Sequence, residues 1–127
     1  MILGLGIDVS RLERVETFIE RYGERFARRI LTDAEKTDCF RVKNPGERVA
    51  GCIAAKEAAS KALGTGWRQG VHWKCFEVSH EVSGKPTLLI HGRAREIADA
   101  MGVQNAHVSI THDAGVAAAV VIFEGEK

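Results

Sequence analysis

The chain has 127 residues, 45% of them hydrophobic and 28% charged, with a formal net charge of +1 at pH 7. That length suits one domain with a single core. The near-neutral charge gives no electrostatic footprint for nucleic acid or an anionic membrane surface. No apolar run is long enough to span a bilayer. The opening MILGLGIDVSRLER lacks the basic start and long apolar core of a signal peptide, so a cytoplasmic protein is expected. Cys39, Cys52 and Cys75 are odd in number and form no Cys-x-x-Cys pair. Neither disulfide staples nor a zinc cluster is expected, and each cysteine reads as a small core residue.

Met1 to Ile7 is a short apolar run that reads as a buried strand, with Asp8 at its end. Leu12, Val15, Ile19 and Tyr22 then recur at helical spacing, and Gly23 interrupts or ends that helix. Arg11, Arg14, Arg21, Arg25 and Arg28 fall three, four and seven apart. If the helix resumes after Gly23 they form one basic stripe, either a solvated face or a docking surface for an acidic partner. Thr32-Asp33-Ala34-Glu35 has the form of a capping box, so a short helix starts there. Asn44 and Pro45 are placed to cap and begin the next helix, and Gly64 to end it.

After Gly70 the pattern changes to alternation. Trp73 to His80 and Thr87 to His91 read as two strands joined by the turn Ser83-Gly84-Lys85-Pro86. Ala94, Ile97, Ala98 and Met101 mark another helix, closed by Gly102. His107 to Thr111 and Val116 to Phe123 read as an antiparallel pair around Asp113-Ala114-Gly115. No repeat or linker interrupts the chain. The expected architecture is α+β in one domain over residues 1–127, with helices packed on a mostly antiparallel sheet.

The stretch from Val49 to Gly66, which reads as a helix, organises the rest. It is built of small apolar residues on nearly every side, yet Lys56, Glu57 and Lys61 interrupt it. Glu57 and Lys61 are four apart and share a face. Helix pattern alone reads them as a surface ion pair worth a few tenths of a kcal/mol. The other reading gives them chemical work. Two carboxylates from distant parts of the chain, Asp8 and Glu57, are what Mg²⁺ takes alongside substrate phosphate oxygens. A lysine one turn away would neutralise phosphate charge. Competing motifs fail. Val9 stands where a dinucleotide fingerprint needs its third glycine, and Gly64-Thr65-Gly66 is no phosphate-binding loop of the Walker kind. His107 and His112 face opposite sides of a strand, and His72, His80 and His91 lack ligand-like spacing.

Gly4-Leu5-Gly6-Ile7-Asp8, Ala54-Ala55-Lys56-Glu57-Ala58-Ala59-Ser60-Lys61-Ala62 with Gly64-Thr65-Gly66, Gly84-Lys85-Pro86 and Ser109-Ile110-Thr111-His112-Asp113 occur in that order. On these segments the whole chain resembles the holo-[acyl-carrier-protein] synthase family, the small bacterial 4′-phosphopantetheinyl transferases of fatty acid biosynthesis. The resemblance implies that fold, a homotrimer with active sites between subunits, and transfer of the 4′-phosphopantetheine arm of coenzyme A to a serine of apo acyl carrier protein. By position, Asp8 and Glu57 would ligate Mg²⁺. Glu57 would act on the serine proton, directly or through a metal-held water, and Lys61 would assist the leaving group. Lys56, Lys61, Gly64, Lys85, Pro86, Thr111 and His112 are the expected coenzyme A contacts. Arg14 and Arg21, then Arg11, Arg25 and Arg28, are expected to dock the acidic carrier. Where the family has Arg followed by an aromatic residue, this chain has Cys52-Ile53. The corresponding phosphate contact is therefore missing or supplied by Lys43, Arg41 or Arg48. Thr111 stands where serine is common. The alternative is a non-catalytic coenzyme A or nucleotide-binding trimer of the same fold.

Overall fold

The computed structural model describes residues 1–126. In chain order the elements are β1 (Ile2–Arg11), α1 (Leu12–Tyr22), α2 (Glu24–Ile30), α3 (Asp33–Phe40) and α4 (Pro45–Leu63), then a short 3₁₀ turn at Trp73–Cys75. They continue with β2 (Phe76–His80), β3 (Pro86–Ile90), α5 (Gly92–Met101), β4 (Val103–Asp113) and β5 (Val116–Gly125). One antiparallel sheet has the order β1-β5-β4, and β2 and β3 form a separate antiparallel hairpin. The expected α+β architecture is therefore observed.

α4 crosses the inner face of the larger sheet, and glycine sets how closely. A Cβ at Gly6 would lie 1.9 Å from the Ala58 carbonyl oxygen, and one at Gly4 would lie 2.2 Å from that of Ala62. Only residues without a side chain let β1 approach the helix so nearly. Ala117, Ala119, Val121 and Phe123 alternate along β5 and fill the rest of the interface, all buried. Small residues on both surfaces thus bring the strand carrying Asp8 against the helix carrying Glu57 and Lys61.

Local signals formed as their chemistry requires. The Thr32 hydroxyl accepts from the Glu35 N–H, and the Glu35 carboxylate accepts from the Thr32 N–H, completing the capping box. Gly64 ends α4 in the left-handed conformation at φ 85°. Pro45 occupies the first turn of α4, but the Asn44 side chain makes no capping bond.

Three expectations are corrected. β1 is not a buried strand: Leu5, Ile7 and Val9 are 57–65% exposed on its outer face, beside Ile122, Val120 and Ala118 of β5. Trp73 to Cys75 form a 3₁₀ turn, so the strand begins only at Phe76. Gly23, at φ 49° and ψ −120°, breaks the basic stripe by setting α2 off from α1.

Candidate active site

Asp8 lies near the end of β1, and Lys61 lies on the last turn of α4. The Lys61 ammonium donates to Asp8 Oδ1 at 3.0 Å and to the Ile7 carbonyl at 3.0 Å. The expected Glu57–Lys61 pair is thus replaced by one 53 residues apart in sequence. The Glu57 carboxylate has no ion pair among the described residues. It lines, with Asp8 and Lys61, a cleft of about 770 Å³. Arg11 and Arg14 stand on the same wall, and Phe26, Ile30, Ile53 and Trp73 supply its apolar side. The cleft thus brings together a free carboxylate, a second carboxylate held by an ammonium and two arginines.

The donor set suits a hard divalent ion. Mg²⁺ takes one or two protein carboxylates and fills its octahedron with water and phosphate oxygens. No group of three or more His, Cys, Asp or Glu side chains gathers among the described residues, so a closed all-protein cage is not what this cleft offers.

Lys56 does not join the site. It is wholly buried and bonds to Glu35, itself wholly buried, with further bonds to the Ile30 carbonyl at 2.7 Å and the Trp73 carbonyl at 3.3 Å. Its expected role as a coenzyme A contact is corrected: on α4 it points into the protein, about 100° round the helix from Glu57. Glu35 had no signal of its own in the sequence, because the capping box already accounted for it.

A second cleft, of about 450 Å³, gathers Gly84, Pro86 and His112. Its residues and those of the first cleft do not overlap within one chain. The His112 Nε2 lies 2.9 Å from the Glu47 carbonyl and donates to it, which orients the ring. Asp38 holds Arg48 at 3.0 Å and Arg41 at 2.9 Å on the wall of this cleft, with His80 Nδ1 at 3.5 Å. Cys39 and Cys52 also line it, their Sγ atoms 3.8 Å apart. The hydrogen bond to Cys39, then burial, pushes the Cys52 thiol well above its usual pKa. Gly64, Lys85 and Thr111 are exposed and line neither cleft.

The arginines divide. Arg14 lies over the Phe18 ring, 5.9 Å from its centre. Arg25 and Arg28 instead rim a hollow of about 710 Å³ floored by Phe18, Tyr22 and Phe26. Arg21 is exposed between them. The arginine ion pairs among the described residues belong to Arg41, Arg48, Arg93 and Arg95. Arg11, Arg14, Arg21, Arg25 and Arg28 therefore make no ion pair among the described residues.

Residues 4–121 match the 4′-phosphopantetheinyl transferase superfamily. The chain belongs to this superfamily. A holo-[acyl-carrier-protein] synthase from Solibacter usitatus is 49% identical over 98% of this chain and 99% of its own length. The crystal structure of the Neisseria meningitidis holo-[acyl-carrier-protein] synthase superposes with a TM-score of 0.88 at 32% identity, covering 98% of this chain and 99% of that one. The Helicobacter pylori enzyme of the same name, in complex with coenzyme A, superposes with a TM-score of 0.83 at 32% identity, covering 94% and 99%. The transferase fold is thus shared from end to end.

Proposed function

We propose that this chain transfers the 4′-phosphopantetheine moiety of coenzyme A to a serine of apo acyl carrier protein, in fatty acid biosynthesis. The products are holo acyl carrier protein and adenosine 3′,5′-bisphosphate. The observation that carries the reading is the convergence of Asp8, Glu57 and Lys61 on one cleft. It is supported by superfamily membership and by relatives of nearly equal length named for this reaction.

Phosphoryl transfer asks the protein for alignment and charge neutralisation more than for covalent help. The serine oxygen attacks the phosphorus that bears pantetheine, and the bond from that phosphorus to the bridging oxygen breaks. Asp8 and Glu57 are the residues that would hold Mg²⁺, which supplies charge neutralisation on the pyrophosphate when bound. Glu57 is the candidate to take the serine proton, directly or through a held water. Lys61 is half exposed and tethered only to Asp8 and a carbonyl. It is therefore free to swing to the departing oxygen. Arg11 and Arg14 line this cleft, and Arg21, Arg25 and Arg28 add cationic groups beyond it, which suits an acidic carrier.

The separation of the two clefts favours a homotrimer. Leu5, Ile7 and Val9 form an exposed apolar sheet face of the kind that marks a partner surface. An assembly through it would set the Asp8–Glu57 cleft of one subunit against the Pro86–His112 cleft of the next, one coenzyme A bridging both. No helix among the described residues is long and apolar enough to cross a membrane, in keeping with a cytoplasmic enzyme. Incubation with apo carrier, coenzyme A and Mg²⁺ followed by intact-mass measurement tests the reading. The carrier gains one phosphopantetheine; no gain, with a relative succeeding alongside, contradicts it.

A further inference from the structure

α4 is buried around most of its circumference by alanine, glycine, cysteine and valine. Close packing of these small residues against β1 and the Lys61 bonds hold one side of the helix. Lys56 supplies buried directional bonds to other elements. Its ammonium has three protons and three acceptors: Glu35, the Ile30 carbonyl and the Trp73 carbonyl. Glu35 is filled in turn by the N–H groups of Thr32 at 2.8 Å and Val78 at 2.7 Å. The pair therefore ties α4 at once to the end of α2, the first turn of α3, the 3₁₀ turn and β2. A buried ion pair is weak evidence for stability, since an apolar replacement is often neutral. What it supplies is a fixed orientation.

Ile30 and Trp73, whose carbonyls Lys56 grips, present their side chains to the cleft that holds Asp8, Glu57 and Lys61. Glu57 is the next residue on the helix. We propose that the buried Lys56–Glu35 pair is a positioning device that clamps the rotation of α4 against the Ile30 and Trp73 wall and so aims the Glu57 carboxylate. The inference rests on the reading of Glu57 as a metal ligand. A side-chain tip lies about 6 Å from a helix axis, so a rotation of about 20° sweeps it about 2 Å. Misplacement of about 1 Å is enough to cost about 100-fold in rate.

The test is the double variant Lys56→Met with Glu35→Gln, which removes both charges; the new amide oxygen keeps one of the two backbone N–H bonds and its NH₂ leaves the other unsatisfied. Its thermal midpoint is therefore expected to fall, and the constants are read well below it. Its kcat is expected to fall about 100-fold with KM for the carrier unchanged, and its Mn²⁺ dissociation constant, read by electron paramagnetic resonance with coenzyme A present, to rise about tenfold. Met101→Ala, on α5 and lining neither cleft, is the control: it lowers the midpoint and leaves kcat and Mn²⁺ binding unchanged well below that midpoint. A folded double variant within about threefold of the parent in both constants overturns the proposal. Glu35→Gln alone carries the same expectation if the double variant does not fold. Unchanged constants there, or failure of both to fold, assign the pair to folding alone and equally overturn it. Parent protein that binds no Mn²⁺ would overturn the Glu57 reading along with the clamp, whereas normal parent binding with unshifted variants removes the clamp only.

Discussion

Gly6→Ala tests whether the close approach of β1 to α4 assembles the site. The added Cβ would meet the Ala58 carbonyl oxygen at 1.9 Å, whereas real Cβ contacts essentially never fall below 3.0 Å. Both atoms belong to backbone, so no flexible side chain can turn aside. The strand must withdraw from the helix by about 1.1 Å to reach that limit. Ile7 and Asp8, the next two residues, carry both acceptors of the Lys61 ammonium at 3.0 Å. The same withdrawal therefore loosens those bonds and parts Asp8 from Glu57. Overpacking of this kind costs about 1–3 kcal/mol of stability, and a displacement of about 1 Å at a reacting site costs about 100-fold in rate. The assay is the time course of holo-carrier formation by intact mass, run well below the variant's thermal midpoint. A folded Gly6→Ala protein with kcat within about threefold of the parent would refute the argument.

Three further outcomes are expected. Glu57→Gln lowers kcat by about 100-fold or more without lowering the thermal midpoint, because the carboxylate has no ion pair to lose; retained turnover removes it from the site. Arg14→Glu or Arg21→Glu raises KM for the carrier about tenfold, with the difference shrinking as salt is added, and a change confined to coenzyme A affinity would refute the docking assignment. The third concerns the Cys52 thiol, raised above its ordinary pKa by the Cys39 hydrogen bond and burial. Above pH about 8.5 the unfolded thiol ionises while the folded one stays protonated, so stability falls with rising pH by up to about 1.4 kcal/mol per unit. Cys52→Ala should flatten that alkaline slope in denaturant titrations, and an unchanged slope contradicts the assignment.

The elements legible in the sequence were those set by local chemistry. The capping box at Thr32 and the left-handed Gly64 need only a few neighbouring residues, and both formed where the pattern placed them. The contacts that make the site are non-local. Lys61 reaches Asp8 across 53 residues, and helix periodicity pointed it to Glu57 instead. Lys56 and Glu57 are adjacent charges that the sequence cannot tell apart; the buried Glu35 draws one inward and leaves the other to the cleft. The apolar run of β1 read as buried because periodicity reports apolar surface without saying what covers it. In a single chain its outer face is open. The family segments supply what periodicity cannot, by linking Asp8 to the α4 motif.

The proposed transfer depends on Asp8 and Glu57 together forming the metal-binding edge of the cleft. Crystals grown with coenzyme A and Mn²⁺, with data collected at the manganese absorption edge, test it most directly. An anomalous peak is expected, bonded to carboxylate oxygens of both Asp8 and Glu57 and to the coenzyme A pyrophosphate. A peak bound elsewhere, or a pyrophosphate seated away from Lys61 with no metal between these two carboxylates, would contradict it.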